Sequence, residues 1–557
     1  MKPPSMLVVF GLLLAAAAAA SGEPVIDAVM NSASYALPGM PNSGIAQGSM
    51  FVIFGKGLGP PALKIASALP LPKSLAGVSV SVTVQGTTVD CFVYYALDSQ
   101  LAAILPSVTP TGGGTIKVTY LGAASQPAAV SVVRNAPGVY ARNQAGTGPA
   151  IVQNYTATPP WPVNALNESA HPGGVEVLWA TGLGPINGDD STYPPVGSLP
   201  FNVEVIVGGK SAKVDYAGRS PYYAGIDQIN FVVPEGVEGC YVPINLKVDE
   251  VLGNPVTMSV TAAGAVCSDP SGLSSSELAR VLESGEARIG VINLGQVKST
   301  FRSGGTKTDA RIDQGSAAFF RRTAPEMLAG QGPVQVASTL GACVVYGLRA
   351  QDDIQWVPYD PVPKEPLDAG PALFVTGPGG KGDITQVQKG LYASVFAYSD
   401  GQIVTQPEYL VPGAYAVDNG GGGEDVLAFR SSTRIPAAFT WQLPTSNLIS
   451  RSQNLTIQWT GADASQIVSI VGASMNVLSG VVGAFVCQER ASAGRFVVPS
   501  WVLSSLPAGD ARGSAYPAGL LGVSVQPLPG SGKFSAPGLD LGYLQYTFQH
   551  VTNVTFQ

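Results

Sequence analysis

The chain has 557 residues and a net charge of −7, with 12% of residues charged against 45% hydrophobic. No basic concentration is present to hold nucleic acid, and at about 150 residues per domain there is room for three or four domains. The 67 glycines and 45 prolines imply many turns, so the hydrophobic content is expected in short buried strands.

Lys2, an apolar run from Met6 to Ala20 and a small-residue exit at Ser21-Gly22 have the form of a secretory signal peptide. The run is short for a bilayer span of about 20 residues and is rich in weakly hydrophobic alanine. Cleavage near Ala20 to Gly22 is expected, leaving no transmembrane span and a protein that is secreted or held at the cell surface.

The next 245 or so residues contain a duplication, with units expected at 23–137 and 138–267. Phe51-Val52-Ile53-Phe54-Gly55-Lys56-Gly57-Leu58-Gly59-Pro60 and Val175-Glu176-Val177-Leu178-Trp179-Ala180-Thr181-Gly182-Leu183-Gly184-Pro185 are both apolar strands running into Gly-Leu-Gly-Pro. Val80–Gln85 before Gly86 matches Val203–Gly208 before Gly209, and Asp98–Pro106 matches Ile226–Pro234. Six or seven short strands in roughly 110 residues is the spacing of an immunoglobulin-like sandwich. The alternation of Val203, Val205 and Val207 gives such a strand one face for a core and one for water. The fold class expected is therefore all-β: tandem immunoglobulin-like β-sandwiches followed by a further β-rich half.

Together with Asn31-Ser32-Ala33-Ser34-Tyr35, Gly48–Gly55 and Asp227–Pro234, these turns make residues 24 to 266 resemble the uncharacterised C-terminal domain family named for Solibacter. The strand-to-glycine turns are also similar to IPT/TIG immunoglobulin-like modules. The resemblance implies a secreted acidobacterial protein and carries over no catalytic residue. The chain departs from the family in placing the domain at the N-terminal end.

Five cysteines occur. Cys240 and Cys267 flank two strand-like runs and a turn at Leu252-Gly253-Asn254, so a hairpin would set their sulfurs opposite each other; a disulfide is expected. Cys91 lies inside a strand and is expected to stay free as a small core hydrophobe. That leaves Cys343 with Cys487, although the pairing of these three stays open.

Residues 268–436 are expected to be β-rich with one short helix at Ser274–Glu286, capped by Ser274 and apolar at Leu278, Val281 and Leu282. Residues 437–557 are expected to form a C-terminal sandwich with Trp441, Trp459 and Trp501 in its core.

Chemical signatures are sparse. The two histidines, His171 and His550, cannot form a three-histidine or HExxH zinc site, and no Gly-x-Ser-x-Gly elbow accompanies His171. The Gly55–Pro60 segment has Pro60 where a dinucleotide fingerprint needs glycine, and Gly209-Lys210-Ser211 sits in a hairpin turn rather than a phosphate loop. Asp189-Asp190 and Asp352-Asp353 are acidic clusters without calcium-loop order. The remaining candidates are Arg219, Tyr222 and Tyr223 in a polar-flanked turn, where tyrosines could stack on a sugar or anchor a protein partner. No catalytic, cofactor or metal residue is assigned. The leading expectation is a secreted, non-catalytic binding, adhesion or structural protein that recognises an extracellular glycan or protein. The alternative is an extracellular hydrolase, of glycosidase or esterase type, with its site in residues 290–430.

Overall fold

A computed structural model describes residues 23–194, 196–268, 273–303, 306–328, 339–349, 365–400, 402–437, 439–510, 512, 517–528 and 530–557. The signal-peptide segment and Asp352-Asp353 lie outside the described residues. The protein is all-β, and among the described residues the helices between its strands are short.

In the first sandwich, strands Val25–Asn31, Met50–Lys56, Gln100–Ile104 and Phe92–Ala96 form one sheet. Ala128–Val133, Gly112–Tyr120 and Val78–Val84 are central to the facing sheet. The sequence Val-Ser-Val-Ser-Val-Thr-Val puts every valine of Val78–Val84 into the core against Phe51, Ile53 and Leu101. Cys91 is free and fully buried. It lies between Thr87–Asp90, in one sheet, and Phe92–Ala96, in the other.

The second sandwich repeats the pairing scheme. Met50–Lys56 pairs with Gln100–Ile104 as Val175–Thr181 pairs with Asp227–Val232. Gly112–Tyr120 lies beside Val78–Val84 as Gly239–Val248 lies beside Val203–Val207. Ile45–Ala46 runs parallel to Ala128–Val133 as Gly148–Pro149 does to Val256–Val260. Gln85-Gly86 and Gly208-Gly209 both have left-handed dihedrals at both positions, the two-residue turn that matches strand twist. One difference is that Lys210–Arg219 runs unbroken through the corner and joins the two sheets.

Cys240 and Cys267 are joined, but not as a facing hairpin pair. The register sets Val260 across from Gly239, so Cys267 lies in the segment beyond the strand and is anchored there by its backbone N–H to the Leu166 carbonyl.

The helix Ser275–Ser284 has the full capping box of Ser274 with Glu277, ends at left-handed Gly285, and buries Leu278 and Val281. An antiparallel hairpin of two 18-residue strands follows, Glu286–Ser303 and Thr306–Thr323. Here the expected boundary between 268–436 and 437–557 fails. Strand Leu541–Phe556 runs parallel to Glu286–Ser303 and pairs on its other edge with Gly519–Pro527. Cys343–Arg349 pairs with Val481–Arg490, and Cys343 is joined to Cys487 directly opposite. Both segments thus contribute to one sheet, running from Cys343–Arg349 to Arg430–Ile435. The small sheet of Thr440–Trp441, Leu455–Thr460 and Arg495–Val498 belongs to the same half, whose core holds Trp441, Trp459 and, partly buried, Trp501.

Candidate functional site

The outer face of the first sandwich packs on the second. Met50, Ala102 and Ile104 alternate with the core residues of their strands and so face away from that core, meeting Ala224 and Ile226. Gly225, with left-handed dihedrals, lets the second sandwich approach Ile104 where a Cβ would collide. Thr181 bridges the contact, accepting from the Met50 N–H at 3.0 Å and donating to the Gly225 carbonyl at 2.7 Å.

Beside this contact opens a cleft of about 530 Å³. Tyr35, Tyr94, Tyr95 and Tyr140 line it, none of them more than partly exposed. Tyr94 and Tyr95 are consecutive, yet both reach the cleft because the pairing of Phe92–Ala96 with Gln100–Ile104 shifts register between Val93 and Tyr95. At the rim stand Tyr193, Tyr222 and Tyr223, 59%, 68% and 56% exposed.

Two hydroxyls are oriented from within. Gln100 donates to the Tyr95 hydroxyl at 2.5 Å, and the Tyr140 and Ser32 hydroxyls share a hydrogen bond at 2.8 Å. Burial, reinforced by repulsion from Tyr35 and opposed by the Gln100 hydrogen bond, pushes the Tyr95 phenol up to about 12. Burial likewise raises Tyr140 and Tyr35. Among the described residues, the lining contains no Asp, Glu, Lys, Arg, His or Cys. Flat rings, neutral hydroxyls and the Gln100 and Gln144 amides suit an uncharged ligand that offers both apolar faces and hydroxyl groups.

Of the residues the sequence singled out, Tyr222 and Tyr223 are at the rim and Arg219 is not. Arg219 is 2% exposed and ion-paired with fully buried Asp227. Its Nη2 donates to the Gly184 carbonyl at 2.6 Å and across the inter-sandwich boundary to the Gly48 carbonyl at 3.0 Å. Asp227 also accepts from the Leu183 N–H at 2.8 Å, tying down the second Gly-Leu-Gly-Pro turn. The polar-flanked turn suggests a ligand-contacting arginine; Arg219 instead knots the two sandwiches together. Gly48 is required there, because a Cβ would strike the Arg219 guanidinium.

Asp190 of the Asp189-Asp190 cluster is buried too. Its carboxylate accepts from the Ser107 N–H at 2.6 Å and the Ser107 hydroxyl at 2.9 Å, again across the boundary. Asp189 caps Ser191. His171 is an exposed loop residue bonded to the Thr261 carbonyl, and Lys210 ties its turn to the Glu235 and Gly236 carbonyls beyond strand Asp227–Val232. Residues 290–430 contribute an aromatic core around Phe319, Tyr392 and Tyr415. Asp313, fully buried there, is held by Gln296 and the Tyr409 and Leu410 N–H groups.

Sequence reading missed Tyr35, Tyr94, Tyr95, Tyr140 and Tyr193. The available signal was the consecutive pair Tyr94-Tyr95 in a strand whose alternation should leave one outside.

No protein-family model matches the chain, and no curated protein matches it. Among solved structures it is similar to the Bacteroides ovatus mixed-linkage glucan utilization locus SGBP-B in complex with a mixed-linkage heptasaccharide. That likeness has 10% identity over 81% of this chain and 83% of the other, with a TM-score of 0.14. It is also similar to domains 5–6 of the S-layer protein SbsC (14% identity, 42% of this chain, 98% of the other, TM-score 0.15). A third is the Yersinia pseudotuberculosis adhesin InvE (14% identity, 42% of this chain, 58% of the other, TM-score 0.12). At such scores these likenesses carry no weight for function.

Proposed function

We propose that the protein is an exported, non-catalytic binding protein that holds a neutral carbohydrate in the cleft between its two N-terminal sandwiches. The observation that carries this reading is seven tyrosines and two glutamines around one cleft, with no charged side chain among the described residues of its lining. Sugar rings present apolar C–H faces for aromatic stacking and hydroxyls for amides and phenols, whereas a charged ligand would lose its hydration with no counter-charge in return. Export is supported by the two disulfides, which persist in oxidising compartments. We read residues 24–266 as the domain type of the Solibacter-named family and its two sandwiches as copies of one ancestral unit; their shared pairing scheme supports the duplication.

Titration calorimetry with a panel of neutral oligosaccharides tests the binding reading. Replacing Tyr222 and Tyr223 together with alanine is expected to weaken binding about tenfold or more, near 1.4 kcal/mol. An unchanged affinity in this double variant would falsify the assignment of the cleft.

A further inference from the structure

The rim tyrosine Tyr223 does not end the aromatic surface. Its ring meets Trp179 edge-on at 6.0 Å. Trp179 lies on Val175–Thr181, where Leu178 and Ala180 fill the core, so the indole is on the opposite, outer face. The indole N–H donates to the Gln153 side-chain oxygen at 2.9 Å, and the Gln153 amide nitrogen faces the Trp161 carbonyl at 3.5 Å. Trp161 packs against Tyr155, ring centres 4.7 Å apart, and Tyr155 is 52% exposed. The Tyr155 N–H donates to the Val175 carbonyl, which places that ring pair four residues along the strand from Trp179, about 13 Å.

Alongside this row lie amides. The register sets Gln228 directly across from Trp179 and Asn230 across from Val177, so both share the outer face, each partly exposed. The Gln228 amide donates to the Asn230 side-chain oxygen at 2.9 Å. On the outer face of this sheet, the charged pair Lys213 with Asp215 closes on itself at 2.7 Å on a strand two removed from Val175–Thr181.

We propose that this row is a second subsite continuous with the cleft. The ligand is then a chain of several linked neutral sugars that leaves the cleft over Trp179 and is gripped again at Tyr155 and Trp161. This rests on the carbohydrate reading of the cleft. It adds that recognition is of an extended polymer segment rather than of a chain end or a single sugar. Partly and fully exposed rings spaced along a strand face suit such a ligand, because each ring takes one apolar sugar face while the amides beside them take the hydroxyls.

The test compares a disaccharide with a hexasaccharide from each of a set of neutral glucans, xylans and mannans, using the full chain, calorimetry and tryptophan fluorescence. The hexasaccharide is expected to bind at least about tenfold more tightly than the disaccharide of the same glycan. Tyr155→Ala with Trp161→Ala is expected to erase that gain and leave disaccharide affinity unchanged, which also shows that the variant is folded. Tyr222→Ala with Tyr223→Ala should weaken both. Equal affinity for the two lengths, with no effect of the Tyr155 and Trp161 changes, would overturn the second subsite while leaving the cleft in place. Failure of every oligosaccharide to bind would overturn both readings.

Discussion

Glu176 projects into the second sandwich from the same strand that carries Trp179. It is 2% exposed and its Oε2 has no hydrogen-bond partner. Burial pushes its pKa up to about 9. In the unfolded chain the same group releases its proton near the ordinary value of about 4.3. Between these two values Glu176 holds more protons in the folded state than in the unfolded one, so its contribution to stability falls as pH rises through that window and levels off above it. Glu176→Gln removes the penalty. The variant is expected to match the parent near pH 4.5 and to exceed it at pH 8 by roughly 2–4 kcal/mol. Paired denaturant melts at the two pH values check this, and parallel changes in both proteins would show that the carboxyl is not the cause. The sequence did not mark Glu176, because an acid within an apolar strand reads the same whether it faces water or the core. Tyr222 and Tyr223 were legible through their exposed turn. Arg219 was misjudged for the same local reason, since its partners Gly48 and Gly184 are distant in sequence.

At the scale of elements, local rules worked where partners were close in sequence. The valine alternation of Val78–Val84, the two-residue turns at Gln85-Gly86 and Gly208-Gly209, and the Ser274 cap all follow from neighbouring residues. They failed for Leu541–Phe556. This strand reads as the last element of a C-terminal unit, yet it pairs in parallel with Glu286–Ser303, more than two hundred residues earlier. Parallel partners need a long crossover and leave no turn signature between them. The consequence is testable. A fragment of residues 268–436 lacks the central strand beside its main hairpin and leaves Cys343 without Cys487. It is expected to show the narrow amide dispersion of an unfolded chain in an NMR spectrum, whereas 268–557 should be dispersed. A well-dispersed 268–436 fragment would restore the boundary at 436.

The molecule as a whole fixes the cleft through contacts that neither sandwich makes alone. Arg219 with Gly48, Asp190 with Ser107, and Thr181 with Met50 all cross the boundary. Arg219→Ala leaves Asp227 buried without its counter-charge, and loss of one partner from such a pair costs about 3–5 kcal/mol. Chemical denaturation of the variant should show a loss of that size; a change below about 1 kcal/mol would mean that water already reaches the pair. Five of the seven cleft tyrosines went unread for the same reason, and only the consecutive pair Tyr94-Tyr95 left a local signal. The five come from both sandwiches, and only the packing of one on the other makes them neighbours.

The parallel pairing of Glu286–Ser303 with Leu541–Phe556 governs how the molecule carries tension. The pairs run from Ile289 with Leu541 to Thr300 with Thr552, twelve consecutive positions in one direction. A pull applied between the second sandwich and the chain's last residues draws these strands past each other lengthwise. All of their rungs are then loaded in shear at once, instead of parting one by one like a zipper. A protein held by its last residues and gripping a polymer through its N-terminal cleft would pass the strain through this sheared pair.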